Sequence, residues 1–261
     1  MILIDYHQIT IANYSILRIS KESEEIDSEM IMDMLVSSIC KCKRDWSGEY
    51  GNIVLCDDAK DTWRHEAFQY YKQKRKDAKK ESSTDWDAML PIMNKAKSLA
   101  ARELKIPTIK INRAEADDVI GIVSRECSKR KEKVLIYSRD KDFKQVHDEY
   151  VSQYSSIAKD WITVDNAKEF LEEMLLVGDS GDGIPNVLSS DDCLVCEGKR
   201  QTPLTKKKKE MFVDSIPKEY LANYERNKKL ISFDSIPLDI VSDIKVKLNR
   251  VDEYFESIGD E

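Results

Sequence analysis

The chain is predicted to be an α/β protein, with a central, mostly parallel sheet flanked by helices and a smaller helical C-terminal part. Two observations predict it. Short apolar runs alternate with helical patterns through the first 165 residues, and each main run ends in acids. Met-Ile-Leu-Ile runs into Asp5, and Asn-Ile-Val-Leu-Cys into Asp57 and Asp58. Pro-Thr-Ile-Lys-Ile-Asn leads to Glu115, Asp117 and Asp118, and Lys-Val-Leu-Ile-Tyr-Ser to Asp140 and Asp142. Apolar runs of this kind read as strands buried on both faces of a parallel sheet. Ligands of such sheets bind beyond the carboxyl ends of the strands, so four strand ends deliver acids to one edge.

The elements follow in order. A strand is expected over 1–5 and a helix over 28–44, where Ile31, Leu35 and Ile39 recur at helical spacing. A strand over 52–56 precedes a Lys- and Tyr-rich helix over 60–76. The polar stretch 77–85, with Ser82, Ser83 and Thr84, reads as mobile. A helix over 92–104 leads to a strand over 107–112. Asp117 is the expected cap of the next helix, whose apolar side is Val119, Ile120 and Val123. A strand over 133–138, a helix near 141–147 and short strands near 150–154 and 161–164 close an α/β domain spanning 1–165. The remainder, 166–261, begins with an amphipathic helix stopping at Gly178, is irregular over 188–203 and is helical again over 206–214.

Composition narrows the class. Charged residues are 35% of the 261 and hydrophobic ones 41%, with few Gly and Pro, as expected of a helix-rich globular protein. No apolar run is long enough to span a membrane and no signal-peptide pattern opens the chain, so a cytoplasmic monomer is expected. Cys193 and Cys196 form a lone CxxC with His7, His65 and His147 scattered, which favours reduced thiols over a zinc site. The net charge of −7 is unevenly spread. Seven Lys or Arg face two acids from Arg64 to Lys80, and Lys199 to Lys209 holds six with none. Such segments suit a phosphodiester backbone, although an isolated Lys run is more often a solvated helix face.

The acids carry the chemistry. Glu115 with Asp117, and Asp140 with Asp142, are spaced by two, so each pair addresses one side of an extended segment. Several carboxylates within about 5 Å repel by roughly 3 kcal/mol per pair at an effective dielectric of 20. Hard divalent cations relieve this, Mg²⁺ being suited to carboxylates and retained water, and two such ions serve in-line displacement at phosphorus. A lone Asp would be an exposed carboxylate or a cap; the set at strand ends is not. Gly178-Asp179-Ser180-Gly181-Asp182-Gly183 adds two acids on a glycine-rich turn, where backbone approaches an ion or phosphate closely.

At these residues the chain resembles the 5′-nuclease family of flap endonucleases and 5′-3′ exonucleases, which has a PIN-like fold, and most closely its T-even phage ribonuclease H branch. The resemblance rests on Ile-Asp-Tyr-His-Gln-Ile, Val-Leu-Cys-Asp-Asp-Ala-Lys with Trp-Arg and Tyr-Tyr-Lys after it, Glu-Ala-Asp-Asp, Ser-Arg-Asp-Lys-Asp-Phe and Gly-Asp-Ser-Gly-Asp. It implies a first-ion cluster of Asp5, Asp57, Asp117 and Asp140 with Glu115 beside them. A second would contain Asp142, Asp179 and Asp182, with Asp140 near both. Asp57 is preferred to its neighbour Asp58 on the pattern Asp-x-Ala-Lys. Arg64 and Lys72 would grip the scissile phosphate, and Asp140 is catalytic through both ions. Tyr70, Tyr71, Arg75, Lys79 and Lys80 would line a strand channel, with Lys206 and Lys207 as further DNA contacts.

The implied activity is Mg²⁺-dependent cleavage, with Mn²⁺ as substitute, of flap, nicked or RNA:DNA substrates from the 5′ side in lagging-strand replication. The implied partners are a single-stranded-DNA-binding protein or a sliding clamp. After Asp182, Asn186-Val187 leads to Leu-Ser-Ser-Asp-Asp-Cys-Leu where the family has a glycine hairpin and a Lys-Thr-Ala helix that grips duplex DNA. Competing readings are a topoisomerase–primase-type or toxin-type metal nuclease, and a non-catalytic DNA-binding protein.

Overall fold

The computed structural model describes residues 1–20, 28–81 and 86–259. Their contacts divide into two interleaved units: Met1–Lys60, Asp85–Thr163 and Leu238–Glu261 form one, Asp61–Thr84 and Val164–Pro237 the other. One boundary, at Thr163–Val164, lies within two residues of the expected 165, but residues 61–84 group with the second unit and 238–261 with the first. Residues 61–84 leave the α/β part because Phe68 and Tyr71 bury against Met174, Leu175, Leu230 and Ile231. The final helix joins it instead.

The α/β unit is built on a six-stranded sheet in the order β3-β2-β1-β4-β5-β6. Its strands are β1 (Ile2–Asp5), β2 (Ile53–Asp57), β3 (Thr108–Lys110), β4 (Val134–Tyr137), β5 (Val151–Ser155) and β6 (Asp160–Ile162). All pairings are parallel except β5 with β6. The helices of this unit are α1 (Tyr6–Ser20), α2 (Ser28–Tyr50), α5 (Trp86–Glu103), α6 (Ala116–Lys129) and α10 (Leu238–Gly259). The residues of β1, β2 and β4 alternate between two faces. Ile2, Ile4, Ile53, Leu55, Leu135 and Tyr137 pack with α2 and α5, including Ile31, Leu35, Ile39, Met93 and Ala96. The opposite face lies against α6, and α10 covers α6 in turn.

Strand order reverses between β1 and β4, which share no connection except through β2 and β3. Such a switch point leaves a crevice beyond the strand ends. Asp5 closes β1 at that point.

Several local expectations change. The helix α1 was not apparent in the sequence: its stretch, rich in Ile with Ser, Tyr, Thr and Asn, has weak helical propensity, and tertiary packing overrides it. Asp5 supplies its start, with Oδ1 accepting from the Gln8 amide at 3.0 Å. The cap of α6 is Glu115 rather than Asp117, because Glu115 and Asp118 form a reciprocal capping box. The helix expected over 60–76 divides into α3 (Trp63–Ala67) and α4 (Gln73–Glu81), broken where Lys72 takes φ 52°. Helix α4 thus runs into the stretch expected to be mobile, and residues 82–85 lie outside the described residues. The six cysteines are free thiols.

The second unit contains α3 and α4 with α7 (Ala167–Val177), α8 (Lys206–Asp214) and α9 (Lys218–Ile231). Asn166 caps α7 through its side-chain oxygen, and Gly178 ends it at φ 71°. A Cβ there would stand 2.5 Å from the Ile184 carbonyl oxygen, so the turn requires glycine.

Asp118 is fully buried and accepts from the Glu115 amide at 3.0 Å. Asp118→Ala should lower the unfolding free energy by about 1–3 kcal/mol, from the lost cap and an orphaned amide. Urea denaturation measures this; an unchanged midpoint would show that α6 starts without the box.

Candidate active site

Asp5 is 7% exposed at the end of β1 and sits beside the end of β2 through the pair Asp5↔Cys56. Cys56 and Asp58 lie two apart on the same side of that chain, so Asp58 faces Asp5. Asp58 Oδ1 accepts from the Ala116 amide at 2.7 Å, in the first turn of α6. That helix end favours a negative charge. Asp140, two residues beyond Ser138, also faces the group: Ser138 donates to Asp5 Oδ2 at 3.2 Å and accepts from the Asp140 amide.

The charge record agrees. Burial first, then the charges of Asp58 and Asp140, push the Asp5 carboxyl up to about 7, against hydrogen bonds from Gln8 and Ser138. The Cys56 thiol is raised well above its ordinary value by burial and by Asp5, Asp57, Asp117 and Asp58. Asp5, Asp58 and Asp140 thus gather beyond the strand ends, with Asp117 nearby in the first turn of α6.

The preference for Asp57 over Asp58 is reversed here. Asp57 shares the face of Ile53 and Leu55, on the far side of the sheet from Asp5. Its Oδ2 is held by Lys97 of α5 at 2.6 Å and by Lys110, its partner across β3, at 3.0 Å. Asp57 is a structural counter-ion.

Glu115 is buried at the cap of α6, and Asp117 is half-buried in its first turn. Asp142 follows Asp140 on a 3-10 turn (Lys141–Val146), and its amide donates to Asp140 Oδ1 at 3.0 Å. Among the described residues, no three His, Cys, Asp or Glu side chains form a ready-made metal cage. Asp5, Asp58, Asp140 and Glu115 instead accept from backbone amides, and Asp5 also from the Ser138 hydroxyl.

Four supporting residues carried no strong sequence signal. His7 Nδ1 stands 3.7 Å from Asp58 Oδ2, and Gln8 Oε1 accepts from the Arg139 amide at 2.6 Å. Gln153 of β5 donates to the carbonyls of Ser138 and Asp140, at 2.9 and 2.6 Å. Ser138 joins Asp5 to Asp140. His7 and Gln8 follow Asp5 directly, whereas nothing local marks Gln153.

The helical unit holds the remaining candidates. Asp179 Oδ1 accepts from the Gly181 and Asp182 amides, at 2.8 and 3.2 Å. Asp182 is flanked by Arg75, Lys72 and Tyr71. Arg64 departs from its expected role. It is 3% exposed, donates from Nε to the Leu230 carbonyl at 2.8 Å and lies over the Trp63 ring, so it braces the unit's core. Tyr71 is 2% exposed and packs in the same core, which leaves no face for a base to stack on. Tyr70 is half-buried, with its ring against Phe68. Arg75, Lys206 and Lys207 are exposed, whereas the side chains of Lys79 and Lys80 lie outside those described.

Because Asp5 titrates higher in the folded chain than in the unfolded one, its contribution to stability is greatest at low pH. It is lost as pH rises from about 4 towards 7. In EDTA, Asp5→Asn should therefore stabilise the protein, by on the order of 4 kcal/mol above pH 7 and by much less at pH 4. Thermal melts across that range test this, and a gain independent of pH would show that charge is not the cause.

Residues 1–174 match the 5′-3′ exonuclease N-terminal, resolvase-like domain. Over 259 residues the chain is 30% identical to the ribonuclease H of Enterobacteria phage T4, covering 93% of this chain and 84% of that one. It is 27% identical to the flap endonuclease Xni of Shewanella woodyi over 168 residues, which are 60% of this chain and 62% of the relative. Among solved structures, a bacteriophage T5 flap endonuclease in a pseudo-enzyme-product complex with DNA and metal ions aligns with a TM-score of 0.70 at 17% identity. The alignment covers 97% of this chain and 98% of that one. At that identity the likeness is one of fold, and it agrees with the switch-point sheet described above. Together with the domain match and the extent of the phage T4 similarity, it rounds off a consistent picture: the chain belongs to the 5′-3′ exonuclease family.

Proposed function

We propose that the protein is a Mg²⁺-dependent 5′-3′ exonuclease and flap endonuclease, acting on DNA flaps and RNA:DNA 5′ ends in lagging-strand replication of a phage. The observation that carries this reading is the convergence of Asp5, Asp58 and Asp140 beyond the strand ends, with Asp117 nearby, in a chain of this family. An all-carboxylate donor set suits a hard divalent cation. Burial, and after it the charges of Asp58 and Asp140, raise Asp5 to about 7, and a cation would neutralise that added negative charge.

Asp5, Asp58 and Asp140 would hold a first ion, with Asp117 beside them. A bound ion supplies an acidified water and neutralises charge on the reacting phosphate. The protein's own groups keep the acids in place. The Ala116 amide and His7 orient Asp58, while Gln8 and Ser138 orient Asp5. Gln153 fixes the Ser138–Asp140 turn from behind. In the helical unit, Lys72, on the turn before α4, and Arg75, in its first turn, would receive a phosphate, and the exposed Lys206 and Lys207 would make backbone contacts. Tyr70 remains a candidate for stacking on a single strand.

Digestion of 5′-labelled flap and RNA:DNA substrates with Mg²⁺ and with EDTA tests the activity, with release of short 5′ products in Mg²⁺ alone expected. Asp58→Asn should reduce turnover at least about 100-fold and weaken Mn²⁺ binding in calorimetry. Asp57→Asn should keep Mn²⁺ affinity within about threefold while costing about 1–3 kcal/mol of stability, since it leaves Lys97 and Lys110 without their shared partner. The reverse pattern would return Asp57 to the ion. Lys72→Ala should lower kcat more than it raises KM, through lost stabilisation of charge on the phosphate. A pure KM effect would make Lys72 a binding residue only.

A further inference from the structure

One polar side chain stands where the sheet offers an apolar place. Gln153 of β5 pairs with Ile136, and so shares a sheet face with Leu3 and Val54. It is 1% exposed. A buried amide without partners is destabilising where an aliphatic side chain would not be, so its hydrogen bonds have to account for it.

Those hydrogen bonds reach both ends of one turn. Gln153 Nε2 donates to the Ser138 carbonyl at 2.9 Å and to the Asp140 carbonyl at 2.6 Å. Its Oε1 lies 3.0 Å from Nε2 of the half-buried His147. Asp140 is the cap that begins the 3-10 turn, and His147 is the residue that ends it. Gln153 therefore ties together the start and the finish of the segment that carries Asp140 and Asp142.

The partners also fix the protons. Carbonyl oxygens only accept, so both protons of the Gln153 amide point at Ser138 and Asp140. Its oxygen is left facing His147, whose Nε2 must then donate. Burial lowers the His147 pKa from its ordinary value, so the ring is neutral at pH 7 and carries its one proton on Nε2. The reversed amide would set its NH₂ group against that N–H and its oxygen against two carbonyls. The imidazole thus selects the orientation of the amide.

We propose that His147 and Gln153 are positioning residues for the acids beyond the strand ends: His147 orients the Gln153 amide, and Gln153 holds Ser138 and Asp140 where they meet Asp5. The proposal rests on the nuclease reading above and deepens it. Ser138 donates to Asp5 Oδ2 at 3.2 Å and accepts from the Asp140 amide, so a shift of these carbonyls disturbs two candidate ion ligands together. Outer partners of this kind govern ligand geometry although they touch no ion.

The test compares His147→Leu with His147→Gln, since a glutamine amide nitrogen can replace Nε2 as donor and leucine has none. In EDTA, amide exchange at Asp140 and Asp142 should be at least about tenfold faster in His147→Leu than in wild type, with the β1 amides unchanged. Calorimetry should show Mn²⁺ bound about 10–100-fold more weakly by His147→Leu, and His147→Gln should recover most of that loss. In the leucine variant kcat should fall with little change in KM, since the pair acts on the acids and not on the nucleic acid. Wild-type exchange and Mn²⁺ affinity in His147→Leu overturn the proposal. So does an equal loss in both variants, the mark of a ring that merely fills space. If His147→Leu does not fold, the ¹⁵N spectrum of the wild-type imidazole decides: a proton on Nε2 is expected, and one on Nδ1 overturns the arrangement. A wild type that binds no Mn²⁺ and cleaves nothing removes the nuclease reading, while the exchange comparison in EDTA still upholds or overturns the hold on the turn.

Discussion

The pairing of β1 between β2 and β4 is the constraint on which the acidic pocket depends. It aligns Asp5 with Cys56 and sets Ile4 against Tyr137, so the three chains leave the sheet at one level. Beyond that level Asp58 and Asp140 continue on the face Asp5 occupies. No short-range interaction would gather carboxylates separated by more than fifty residues; parallel register does so because strand spacing is fixed at about 4.8 Å. The cost is electrostatic. Asp5 is buried among like charges and titrates near neutrality, which folding tolerates because the apolar faces of the same strands are fully covered.

Three of the candidate acids also have a second task at a chain turn. Asp5 caps α1, Glu115 caps α6, and Asp140 caps the 3-10 turn that carries Asp142. Capping satisfies amide donors that a helix start leaves open, and it locks the carboxylate's position before any ligand arrives. Asp5 keeps one oxygen for the Gln8 amide and the other for the Ser138 hydroxyl. The site is thereby rigid without being collapsed into a cage.

The helical unit uses its basic residues in two different ways, although they fall within twelve residues of each other. Arg64 and Tyr71 are drawn into a core with Leu230, Ile231 and Met174. Lys72 is half-buried and Arg75 exposed on the same segment, where Lys72 adopts a left-handed backbone and breaks the helix. The break turns successive side chains in different directions, which a continuous helix over 60–76 would not have done.

The sequence determined the α/β class, all six strands to within about two residues of their ends, and the set of acids to consider, because buried parallel strands must be continuously apolar and the acids follow them directly. It also marked the basic segment and the glycine-rich turn, both of which depend on local residue type. What it left to the tertiary structure were choices between neighbours. Asp57 and Asp58 are chemically identical and adjacent, and only the period-two alternation of β2 in its final register sends one to Lys97 and the other to Asp5. Arg64 is a phosphate ligand by resemblance, whereas in the structure Leu230, 166 residues away, supplies it a buried acceptor. The assignment of the last helix to the α/β unit was equally invisible, since it arises from packing on α6 across more than a hundred residues. Local chemistry is written in the chain; which face a side chain meets is decided by long-range register and burial.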